Sequence, residues 1–163
     1  MVFLRHTVPK VLTGARTVVT NDNQPTHKMS ARLPTSQDRR KILLVDTNHA
    51  TFARLRLILN EVAPEQYTVE WANRFRLGVT QMRRKKYDLC LVATRLGYRS
   101  GHEFIETSQE LRPDLPLIML EDSTAAEPDH IDEPVWDSLN LDRLHPQVLC
   151  NSLREACVTR PEA

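Results

Sequence analysis

Lys41-Ile-Leu-Leu-Val-Asp46 is an unbroken aliphatic run closed by an acid. It lacks the polar/apolar alternation of a half-exposed strand, so it is expected to be a strand buried on both faces. Working outward, Thr51 to Val62 places Phe52, Leu55, Leu59 and Val62 at helical spacing, and Pro64 stops the helix. Tyr67-Thr-Val-Glu-Trp71 is rich in β-formers. Asn73 is expected to cap a helix carrying Phe75, Val79 and Met82 on one face. That helix ends in Arg83-Arg-Lys-Lys86, cations that suit the negative end of its dipole. A solvated helix end explains this run better than a nucleic-acid patch.

Tyr87 to Ala93 reads as a third buried strand, residues 94–101 as a loop with Gly97 and Gly101, and His102 to Leu111 as a helix. Leu115 to Leu120 makes a fourth strand. Residues 121–134 hold six acids and two prolines, which argues against a long regular helix there. Val135 to Leu141 can supply a fifth strand, and Pro146 opens a last helix to Val158 with Leu149, Leu153 and Ala156 on one face. Short apolar strands alternating with helices predict right-handed crossovers and a parallel sheet covered on both faces. Such sheets work at the carboxyl ends of their strands. The residues that matter are then Asp46, Thr47, Ala93, Glu121 and Leu141.

The chain's 163 residues, 40% of them hydrophobic and 26% charged, suit one domain of ordinary size. Residues 1–39 have no sustained period and read as a flexible basic arm, 40–158 as the folded domain and 159–163 as a tail. Initiation at Met29 would shorten the arm to MSARLPTSQDRR before Lys41. Residues 1–40 carry seven Lys/Arg and two Asp; the rest carries fifteen Lys/Arg against nineteen Asp/Glu. The folded part is therefore mildly acidic, which argues against nucleic acid as its main partner. No apolar run is long enough to span a membrane, and Arg5 interrupts the only leader-like stretch, so a cytoplasmic protein is expected. Four glycines cannot assemble a G-x-G-x-x-G fingerprint, no G-K-[ST] occurs, and the three cysteines lack zinc-finger spacing.

Lys41-Ile-Leu-Leu-Val-Asp46, Tyr87-Asp-Leu-Cys-Leu-Val92, Arg95-Leu-Gly97, Ser100-Gly101 and Leu115-Pro-Leu-Ile-Met-Leu120, in this order and spacing, resemble the receiver domain of two-component response regulators. The resemblance covers about residues 40–158. It implies a flavodoxin-like (βα)5 three-layer sandwich with a central five-stranded parallel sheet. It also implies phosphoryl transfer from a histidine kinase to an aspartate after the third strand. That chemistry takes an acidic pair for Mg²⁺ after the first strand, a Ser/Thr after the fourth and a Lys after the fifth.

This sequence departs from the pattern at each point. Asp46 matches the first acid, but the second position is Thr47. The acceptor position falls on Ala93, the Ser/Thr position on Glu121 and the Lys position near Leu141. Between Trp71 and Gly101 the only carboxylate is Asp88, five residues before Ala93 and so roughly 16 Å away along a strand. No lysine follows Lys86, and Arg143, the nearest cation, is a poor stand-in for a compact ammonium. The expectation is a degenerate receiver without enzymatic activity, metal or cofactor. Its function would be binding a protein in a phosphorelay, independently of phosphorylation. The partner would be a histidine kinase, a cyclic-dinucleotide enzyme or another signalling protein; homodimerisation is the alternative. An internal ion pair of Asp46 or Glu121 with Arg95 or Arg99 would replace the metal.

Other constellations carry less. A weak hydrolase or metal-binding protein could use Asp46, His49 and Glu121, with His102 nearby. His102-Glu103-Phe-Ile-Glu106 has Glu where the zinc-protease motif needs its second His. Cys90 reads as core, and Cys150 and Cys157 as packing residues of one helix face. Gly78, costly inside a helix, suggests a close approach to the sheet. Leu57 and Ile58 widen the apolar face of their helix, and Ser138 falls near the family's aromatic switch position.

Overall fold

A computed structural model describes residues 39–123 and 135–158, all within one compact unit spanning Pro34–Ala163. The elements run β1 (Arg40–Val45), α1 (His49–Val62), β2 (Tyr67–Ala72), α2 (Phe75–Arg84), β3 (Leu89–Ala93), β4 (Arg95–Leu96), β5 (Arg99–Ser100), α3 (Gly101–Leu111), β6 (Leu117–Glu121), β7 (Asp137–Asn140) and α4 (Pro146–Val158). The main sheet has five parallel strands in the order β2-β1-β3-β6-β7. The chain reverses direction across the sheet between β1 and β3, the point at which such sheets open a crevice.

The opening motif behaves as its composition demands. Ile42, Leu43, Leu44 and Val45 are all completely buried in β1. Because strand side chains alternate, Ile42 and Leu44 join Leu55, Leu59, Leu149 and Leu153 under α1 and α4. Leu43 and Val45 join Met82, Phe104 and Ile105 under α2 and α3. Two cores thus sandwich one sheet. Ile58 packs against the first core, whereas Leu57 points outward and is 70% exposed.

Several boundaries differ from the sequence reading. β3 begins at Leu89, β6 at Leu117, and β7 spans only Asp137–Asn140. The expected loop at 94–101 contains a small antiparallel hairpin, β4–β5, turning at Gly97 with φ +75°. The N-cap of α2 is Arg74, whose side chain makes no capping bond, rather than Asn73. The acidic segment between β6 and β7 lies, for residues 124–134, outside the described residues, as do the arm through residue 38 and the tail from 159.

The histidine–glutamate pair at the start of α3 has a structural explanation. Ser100 Oγ accepts from the Glu103 amide at 3.1 Å, and Glu103 Oε2 accepts from the Ser100 amide at 3.2 Å. This is a reciprocal capping box, so Glu103 serves the helix end. The basic run of α2 is likewise partly local. Lys85 Nζ donates to Glu70 Oε2 at 2.6 Å, and the buried Tyr87 hydroxyl donates to the same oxygen at 2.7 Å. Hydrogen bonding from Lys85, foremost, holds the Glu70 carboxyl below its ordinary range.

Candidate functional site

The carboxyl ends of β1, β3 and β6 enclose a cleft of about 150 Å³ whose lining includes Asp46, Thr47, Ala93 and Leu141. Strand pairing explains the assembly. Val45 lies opposite Val92 and Ala93 opposite Leu120, so Asp46 and Ala93 emerge side by side one step past the Val45–Val92 pair. Ala93 is 7% exposed and brings a methyl group to the position where the resemblance calls for a carboxylate. Asp88 lies toward the opposite end of the sheet, where its carboxylate accepts from the Lys41 amide at 2.8 Å and pairs with Arg40 at 3.8 Å.

Asp46 is 4% exposed. Its Oδ1 accepts from the Asn48 amide at 2.8 Å, and its carboxyl also receives the Thr51 hydroxyl. Its backbone carbonyl accepts from the Trp71 indole at 2.7 Å. Burial pushes the Asp46 carboxyl above its ordinary 3.8, against the pull of the Asn48 amide and Thr51 hydroxyl, and the nearby Asp122 charge adds to the rise. Below pH 3.8 the group is neutral whether the chain is folded or not, and nothing is lost. As pH climbs through the interval up to the folded value, the unfolded chain ionises first and stability falls. Asp46→Asn keeps an oxygen acceptor for Asn48 and Thr51 without the buried charge. It is expected to raise the melting temperature at pH 7, a gain that fades toward pH 3.8 in thermal melts across the acid range.

Asp122 is the cleft residue that sequence reasoning missed, together with Asn48, Thr51 and Thr94. The adjacent acids Glu121-Asp122 were the available signal. Motif position favours the first, yet the second lines the cleft. Glu121 instead accepts a short hydrogen bond from the Ser138 hydroxyl on β7. Neither Glu121 nor His49 lines the cleft that holds Asp46. The His49 ring packs edge-on against Trp71 at 5.0 Å and Phe52 at 5.9 Å, so the Asp46, His49 and Glu121 of a hydrolytic site do not converge. Among the described residues no three His, Cys, Asp or Glu side chains gather as metal ligands.

Of the two arginines of the expected ion pair, Arg99 lies against an aromatic ring and Arg95 lies beside Asp46. The Arg99 guanidinium lies over the Phe75 ring at 4.6 Å, and Asp46 and Glu121 are satisfied by amide and hydroxyl donors. Arg95 does line the cleft. At the fifth-strand end, Leu141 offers only backbone to polar neighbours: its carbonyl accepts from Arg54 Nη1 at 2.7 Å and its amide donates to Glu121 O at 2.8 Å. The exposed Arg143 does not line the cleft. Mg²⁺ needs several free oxygens, and two carboxylates, Asp46 and Asp122, are among the residues that line the cleft. Ala93 contributes none, Thr47 replaces an acid, and one Asp46 oxygen is already engaged.

No family model matches the sequence, and no curated protein matches it. Solved structures do match. The CheY-like response regulator receiver domain protein from Methanospirillum hungatei is 22% identical with a TM-score of 0.65, over 75% of this chain and 96% of that one. The signal receiver domain of an HD domain-containing protein from Pseudomonas fluorescens is 23% identical with a TM-score of 0.65, over 79% and 94%. The N-terminal domain of a response regulator/sensory box/GGDEF 3-domain protein from Carboxydothermus hydrogenoformans is 23% identical with a TM-score of 0.62, over 73% and 94%. The strand order, the crevice at the strand ends and these likenesses together give this chain the flavodoxin-like fold of CheY-like receiver domains.

Proposed function

We propose that this chain is a degenerate receiver of a two-component phosphorelay that binds a signalling protein without accepting a phosphoryl group, and that it is not an enzyme. The observation that carries the reading is the Ala93 methyl beside Asp46, where a receiver needs its nucleophile. Three further features support it. Leu141 supplies no amine, Asp122 brings negative charge into the cleft where a hydroxyl would face phosphate, and Ser138 is occupied with Glu121. A phosphate-driven switch would have neither trigger nor reporter, so constitutive binding remains. Fold likeness to domains of larger signalling proteins favours a partner such as a histidine kinase or cyclic-dinucleotide enzyme over self-association. The protein would work in the cytoplasm; among the described residues no helix is long and apolar enough to cross a membrane.

Incubation of the full chain with acetyl phosphate and Mg²⁺ is expected to leave its intact mass unchanged, and millimolar Mg²⁺ to leave its melting temperature unchanged. Ala93→Asp is expected to remain unphosphorylated, because Thr47, Glu121 and Leu141 still disfavour the reaction. A phosphoryl adduct on the natural chain would refute the proposal.

A further inference from the structure

On the face built by α2, the β4–β5 hairpin and α3, a groove of about 660 Å³ gathers guanidinium groups around an apolar floor. Arg74, Arg76 and Arg83 come from α2 and its N-cap, and Arg99 from β5. Phe75, Val79 and Leu96 form the floor, and Tyr98 stands fully exposed at the hairpin tip. All four arginines are exposed, and among the described residues none is paired with a carboxylate. By contrast Arg39, Arg40, Lys85 and Arg112 each have an acidic partner within the fold. Four like charges around one concavity repel each other, and none has an acidic partner among the described residues, so an anionic ligand would relieve them.

We propose that this groove docks an acidic, amphipathic segment of a partner protein, an inference that rests on reading the chain as a protein-binding module. Guanidinium forks match carboxylates bidentately, and the floor accepts the apolar side chains interspersed among them. A nucleic acid fits less well. The Phe75 ring is covered by Arg99 and meets Phe104 edge-on at 5.4 Å, which leaves Tyr98 as the one free stacking ring of the groove. Beyond residue 40 the chain also carries nineteen Asp/Glu against fifteen Lys/Arg, a field that repels a long polyanion but tolerates a short acidic segment.

The test is fluorescence anisotropy on the full chain with a labelled peptide of Glu-Glu-Leu repeats, compared with Gln-Gln-Leu repeats and an oligothymidylate. The Arg76→Glu/Arg83→Glu variant changes only exposed side chains and leaves the basic arm intact, so it separates the groove from the arm. The Glu peptide is expected to bind best and to lose at least about tenfold in affinity on charge reversal. Equal binding by the variant, equal binding of the Gln peptide, tighter binding of the oligothymidylate, or no binding of the Glu peptide would each overturn the proposal. Natural chain and variant, also treated with acetyl phosphate, keep the two readings apart. A phosphoryl adduct ends the phosphate-independent reading without touching the groove, and unchanged peptide binding by the variant does the reverse.

Discussion

Gly101→Ala is expected to cost about 3 kcal/mol or more, beyond the usual range for one added methyl in a packed site. A Cβ at this position would lie 2.3 Å from the Ala93 carbonyl oxygen and 3.1 Å from its carbon. Both obstacles are backbone of a central strand, so no rotamer change removes them. The helix would have to lift away, and it is tied down where it starts. The Gly101 amide donates to Thr94 O at 2.8 Å, and the Ser100–Glu103 capping box follows directly. Lifting α3 would also uncover Phe104 and Ile105, both essentially buried. Gly97→Ala is the control. Its Cβ would meet nothing within 4 Å, so only its φ of +75° is penalised, at about 1 kcal/mol. Urea unfolding of the two variants measures the difference; equal losses would mean that the approach of α3 to β3 is not the constraint described here.

Phe104→Ala is expected to destabilise by about 3–5 kcal/mol, the usual range for removing a fully buried aromatic ring. The ring is completely buried, meets Phe75 edge-on and fills the space that Gly78 leaves open between α2 and the sheet. A Cβ on Gly78 would lie 2.8 Å from Phe104 Cε2 and 2.9 Å from Val45 Cγ2. Alanine at 78 alone therefore pits better helix propensity against overpacking, and overpacking wins because both neighbours are held in the core. With Phe104→Leu the crowding against the ring is relieved, and only that against Val45 stays. The double-mutant cycle of Gly78→Ala with Phe104→Leu is then expected to be non-additive, the pair less damaging than the sum. Additive losses would mean that ring and glycine are not coupled. The same packing holds the wall that carries Arg76 and Arg83, so these variants link core integrity to the proposed docking groove.

The start of α3 is written in local sequence. Ser100 followed three residues later by Glu103 is itself a capping signature, written in adjacent residues and readable without a fold. The aromatic packing of His49 was not readable that way. It depends on Trp71, which β2 brings alongside through pairing with β1.

Residue type and short-range spacing account for a definite share of this molecule. The aliphatic run of β1, the alternation of strands with helices, the missing carboxylate before Gly101 and the missing lysine after Lys86 all survive a shift of one or two positions. The way side chains turn at the strand ends, and the distant surfaces that meet, came from the folded arrangement. It set Asp122 rather than Glu121 in the cleft, brought the backbone at Gly101 onto Ala93, and placed Arg99 beside the arginines of α2. Helix and strand periods are local properties of the chain, whereas orientation past a strand end and closure between elements depend on packing against partners remote in sequence.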